Sequence, residues 1–138
     1  MGTANEKGVT FGPTKTERFY DSLNCHRPTS KKPEKTKWCI DRQGEYAIFE
    51  NADSASRTCI KGHIWGFGNQ AGTIVLGGGN EVLAKFPKVV NPNDNWHGYP
   101  VSPRSKPSDA PPKEDIKQWL ANGDIEQVFA RRLLRFEL

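Results

Sequence analysis

The chain has 138 residues, a net charge of +4, 35% hydrophobic residues and 26% charged ones. That length suits one domain with a modest core, and no run approaches the roughly 20 apolar residues of a membrane span. Cys25, Cys39 and Cys59 are odd in number and widely spaced, which is not a disulfide framework, and Met1–Lys7 holds no apolar signal core; a reducing, cytoplasmic setting is expected.

Residues 1–13 read as a flexible start, with one domain over 14–138. Thr14 or Thr16 fits the cap of a short helix over Lys15–Leu23, with Phe19, Tyr20 and Leu23 on one side. Asn24 to Lys37 is a loop carrying Arg27, Lys31, Lys32, Lys35 and Lys37 against Glu34. Such a basic surplus suits a polyanion, and it equally suits a solvated lysine-rich loop.

From Trp38 the pattern changes. Trp38–Ile40, Glu45–Glu50 and Thr58–Phe67 read as strands, rich in β-branched and aromatic residues and bounded by turn formers. Thr73–Leu76 and Glu81–Phe86 flank Gly77-Gly78-Gly79-Asn80, the clearest hairpin signal in the chain. The sum is an antiparallel sheet of three to five strands over about 38–88.

A proline-rich loop, 87–112, follows. Two helices then close the chain. Ser108 or Asp109 fits the cap of one, Pro111 and Pro112 its first turn, Ile116, Trp119 and Leu120 form its stripe, and Asn122-Gly123 stops it. Asp124 fits the cap of the other, with Ile125, Val128, Phe129 and Leu133 on one face. The fold class is therefore α+β: a short N-terminal helix, the sheet, the proline-rich loop and two C-terminal helices.

Three histidines are the natural candidates for chemistry near neutral pH: His26, His63 and His97. His97 stands in Asn93-Asp94-Asn95-Trp96-His97-Gly98-Tyr99-Pro100. There Gly98 frees the backbone, Pro100 stiffens it, and Trp96 and Tyr99 offer flat faces for a base or ring. The same string also reads as an irregular loop pinned by its aromatics. On a regular strand, Cys59, Lys61, His63 and Trp65 share one face, so Lys61 and His63 form a pair able to meet a phosphate. Metal-independent ribonucleases need a base, an acid and a phosphate cation, and His97, His63 and Lys61 supply those residue types. Trp96, Tyr99 and Arg104 complete the candidate substrate-binding set.

Metal and cofactor signals are weak. Cys59-x3-His63 is a half-site, but no Cys-x2-Cys occurs, and the glycine run precedes a strand pattern, unlike a phosphate-cradling loop. No metal and no cofactor are expected. The sequence thus points to a small basic nucleic-acid-directed domain, most concretely a metal-independent ribonuclease of toxin or effector type with RNA as partner. The alternative is a non-catalytic protein-interaction module, anchored by the Trp96–Tyr99 loop and by a C-terminal helix with more apolar surface than one face buries.

Overall fold

The computed structural model describes residues 2–138 and has a mixed α+β fold. Strands β1 (Thr3–Ala4), β2 (Gly8–Phe11) and β3 (Tyr20–Leu23) form one antiparallel sheet in that order. Helix α1 (Arg42–Ser54) follows. Strands β4 (Ile64–Gly66), β5 (Leu83–Phe86) and β6 (Tyr99–Val101) form a second antiparallel sheet. Helices α2 (Lys113–Ala121) and α3 (Gln127–Leu134) close the chain.

The second sheet is covered on both faces, and its alternation shows why. Trp65, Leu83 and Val101 point to one core with Phe67, Ile116, Trp119, Phe129 and Leu133 of the C-terminal region. Ile64, Ala84 and Phe86 point to another core with Ile48, Phe49 and Ala52 of α1 and with Tyr20, Trp38 and Trp96. Successive strand residues face opposite sides, so short strands serve two cores at once.

The local patterns fared differently. Both C-terminal helices form but start later than expected: α2 begins at Lys113 with Pro112 before it, Ser108 and Asp109 belonging to a separate 3-10 turn, and the residue preceding α3 is Glu126 and not Asp124. The expected strand Glu45–Glu50 is instead the middle of α1. Asp41 caps that helix by accepting from the Gly44 N–H at 2.7 Å. Its buried stripe is Glu45, Ile48, Phe49, Ala52 and Asp53, at helical spacing but with a carboxylate at each end. Those carboxylates are satisfied from the N-terminal sheet region: Glu45 accepts from Tyr20, Ser22 and Arg27, and Asp53 from Thr14, Thr16 and Arg18.

The expected N-terminal helix is absent. Tyr20–Leu23 is a strand whose Tyr20 and Ser22 face inward, and the start of the chain supplies β1 and β2. Thr58–Phe67 does not run straight: it folds back at Cys59–Gly62, with Gly62 at φ +85° and its N–H bonded to Cys59 O at 2.8 Å. The Gly77–Asn80 turn forms, with Leu76 N–H donating to Glu81 O, but only Leu83–Phe86 after it is a strand; Thr73–Leu76 is not. Trp38 makes a single bridge to Gly77. The proline-rich stretch contains β6 and a 3-10 turn, Pro107–Asp109. Pro100 sits in β6, which pairs only with β5, where a missing N–H is tolerated.

Candidate functional site

The turn at Cys59–Gly62 decides which side chains meet. It separates Cys59 and Lys61 from the strand face of Trp65. All of them, with His63, nevertheless line one hollow of about 430 Å³ whose far side is Lys85, Pro107, Ser108, Ala110 and Pro112. The floor is Trp65, 1% exposed, and the Lys85 ammonium lies 5.6 Å from the centre of its ring. Lys85 also reaches Asp109 of the 3-10 turn, Nζ to Oδ1 at 3.3 Å.

His63 has a defined tautomer. Its Nδ1 accepts the Lys88 backbone N–H at 3.0 Å, so the proton sits on Nε2 and that atom is a donor. Burial, and then the ammonium groups of Lys85, Lys61 and Lys88, hold its pKa below the ordinary 6.5. Protonating Nδ1 would break the bond to Lys88. His63 is thereby a neutral hydrogen-bond donor, suited to an anion and poorly suited to shuttling protons.

His97 lies at the same end of the sheet. His63 stands one residue before β4 and His97 two before β6, both near the end of β5 at Phe86. The two outer strands are separated by two inter-strand spacings, about 10 Å. The imidazoles line different hollows, however. That of His97, about 320 Å³, is shared with Asp21, Lys88, Asp94 and Asn95. Its Nδ1 is buried with no hydrogen-bond partner among the described residues. Burial lowers its pKa, the nearby Asp21 carboxylate opposes this, and Lys35 adds to it. The structure therefore joins His63 to Lys61 and leaves His97 apart.

The rest of the expected set is scattered. Trp96 is 5% exposed and packs in the core, 5.9 Å from Phe49, with the Arg18 guanidinium 5.1 Å over its ring. Its backbone joins the first sheet: its N–H donates to Phe19 O at 2.8 Å, and its carbonyl accepts from Asp21 at 2.7 Å. Gly98 does not serve a turn; a Cβ there would come within 2.1 Å of Phe86. Arg104 is exposed, and its backbone N–H donates to Leu138 O. The apolar face of α3 is largely spent, with Phe129 and Leu133 in the core and Val128 and Phe136 outside.

Tyr99 stacks on His26, centroids 5.0 Å apart at 19°. His26 donates from Nδ1 to Thr36 O at 2.8 Å, since a carbonyl can only accept, which leaves Nε2 as the basic atom. Burial first, then Lys35, His97 and Lys37, lower its pKa against the effect of the Thr36 bond. The basic loop Asn24–Lys37 is tied down around it. Arg27 bonds Glu45 and Ile40 O, Lys37 Nζ donates to Cys25 O, and Thr36 Oγ1 donates to Pro100 O.

Sequence reasoning missed Lys85, Ser108 and Asp109. Only Lys85 carried a signal, as the single charge in the apolar run Leu83-Ala84-Lys85-Phe86. No group of three or more His, Cys, Asp or Glu among the described residues is arranged to hold a metal ion, and no helix described is long and apolar enough to cross a membrane. Comparisons with known protein families, with curated proteins and with solved structures return no match to this chain.

Proposed function

We propose that this chain is a nucleic-acid-directed domain that grips the RNA backbone at the Lys61–His63–Lys85 hollow. The observation that carries this reading is that Lys61, His63 and Lys85 line one hollow and that the charges of both lysines act on the imidazole. Phosphate oxygens are acceptors with negative charge, and charge-assisted bonds to them are about twice as strong as neutral ones. Lys88 and the tethered basic loop add positive charge near the same end of the sheet, which steers a polyanion toward it.

Cleavage would need a proton acceptor. His63 does not fill that role while its Nδ1 holds the Lys88 N–H. The other imidazoles, His97 and His26, both have lowered pKa values and are neutral near pH 7, a base's requirement. The hollow is thus the binding element, and a ribonuclease would draw its base from the β6 side.

The test is fluorescence anisotropy with a labelled RNA oligonucleotide at several salt concentrations. Lys61→Ala/Lys85→Ala should lose at least tenfold in affinity and about two units of salt slope, one per phosphate contact removed. Unchanged affinity in a folded double variant would sink the proposal. Cleavage of the RNA in EDTA that disappears in His97→Ala extends the reading to a metal-independent ribonuclease; an inert wild type confines it to binding.

A further inference from the structure

We infer that the hollow takes one whole nucleotide unit, phosphate with sugar and base, and so selects single-stranded RNA over duplex; this rests on the phosphate reading above. The hollow has two unlike walls. One is cationic, formed by Lys61 and Lys85 beside the neutral His63. The other is apolar, formed by Pro107, Ala110 and Pro112, with Ile60 at the rim and 92% exposed. A bare anion uses only the first wall.

Trp65 closes the base of the hollow. Its ring is 1% exposed and lines the hollow, yet its Nε1–H is buried without a partner among the described residues. The volume of about 430 Å³ falls within the range of small-molecule sites, roughly 300–1,000 Å³. That is room for one nucleotide and not for a base pair. In a duplex the bases are stacked inside, so only phosphates face the protein; unpaired bases can be splayed outward onto a protein wall.

Asp109 sharpens the picture. Its carboxylate sits on Lys85 at 3.3 Å, at the anion position of the cationic wall. It is carried on a turn that starts at Pro107 and leads into Pro111 and Pro112. An incoming phosphate must displace this carboxylate or share Lys85 with it, so Asp109 acts as an internal competitor.

The experiment is competition against a labelled ten-nucleotide single-stranded RNA by adenosine 5′-monophosphate, adenosine and inorganic phosphate, at fixed salt. At pH 8 the first and last are both close to dianionic, so their difference there reads the base and sugar. The nucleotide should compete at least tenfold better than either fragment. Ile60→Ser, at an exposed position, should cut that advantage threefold or more without changing phosphate competition. Asp109→Asn should strengthen both anions severalfold, and single-stranded RNA should bind at least tenfold tighter than duplex of equal length. Equal competition by nucleotide and phosphate would overturn the nucleotide inference and leave the phosphate site standing. Failure of both anions to compete, with RNA binding indifferent to Lys61 and Lys85, would overturn both.

Discussion

Two hollows lie at the same end of the central sheet, each with one histidine, and they differ in what surrounds the imidazole. Around His63 stand Lys61, Lys85 and the apolar edge of the proline-rich segment, with the Asp109 carboxylate in contact with Lys85. Around His97 stand Asp21, Asp94 and Asn95, with Lys88 on the rim and the Lys35 charge acting on the imidazole. Asp21 is itself engaged by Thr10 and Asn95, so the second hollow is a cross-tie between the two sheets. A histidine gains its role from its neighbours: the first is placed to receive an anion, and the second belongs to the seam that holds the fold together.

The comparison can be broken in order of effect. Trp96→Ala removes a core indole beside His97 and should destabilise the protein by about 3–5 kcal/mol in chemical denaturation; a loss below 1 kcal/mol would deny the seam its structural role. Next, the Lys61→Ala/Lys85→Ala pair should weaken RNA binding by about 10- to 100-fold with a parallel drop in salt slope. His63→Ala removes one donor to a charged acceptor and should weaken binding about tenfold, the low end for such a bond.

A pH titration gives a smaller signal. His26, His63 and His97 all have folded-state pKa values below 6.5. Between those values and 6.5 the unfolded chain binds more protons, so their contribution is complete above pH 6.5 and is lost as pH falls through the folded values. Glu45, raised by burial, has the opposite sign: the folded chain keeps its proton more readily, so acidification through its raised value stabilises. The melting temperature should therefore decline from pH 7 to below 6.5, and His26→Gln should flatten that decline. The smallest effect is that of His97→Ala on RNA affinity, less than twofold by anisotropy. A tenfold loss there would erase the distinction between the hollows.

What the sequence shows of this molecule follows the range over which each signal acts. The C-terminal helices are legible because stripe and stop are neighbours in the chain, although both start a few residues later than their polar cap candidates suggest. Helix α1 is not, because its buried face includes Glu45 and Asp53, and a carboxylate reads as solvent-facing until its partners are known. Those partners are Tyr20, Ser22 and Arg27 for one and Thr14, Thr16 and Arg18 for the other, all far back in the chain. The site divides in the same way. Lys61 and His63 stand out together because they are two residues apart, and the fold-back at Gly62 keeps them on one hollow although it breaks the strand. Lys85 and Ser108 arrive from other elements and carry no shared local mark. The Trp96–Tyr99 string drew attention as a cluster of aromatics, yet Trp96 owes its presence to a bridge with Tyr20 that no local pattern announces.

The tethered loop Asn24–Lys37 has a thermodynamic consequence. Fixing one residue's backbone costs on the order of 1–2 kcal/mol in conformational entropy, and a free basic loop would incur that cost each time it closed on a polyanion. Here Arg27 to Glu45 and Thr36 to Pro100 O tie the loop to the body of the fold, and the bonds of His26 to Thr36 O and of Lys37 to Cys25 O brace it internally, so the ordering is imposed during folding. Lys31, Lys32 and Lys35 then stand as a preset array of charge, and an arriving polymer loses little but its own freedom.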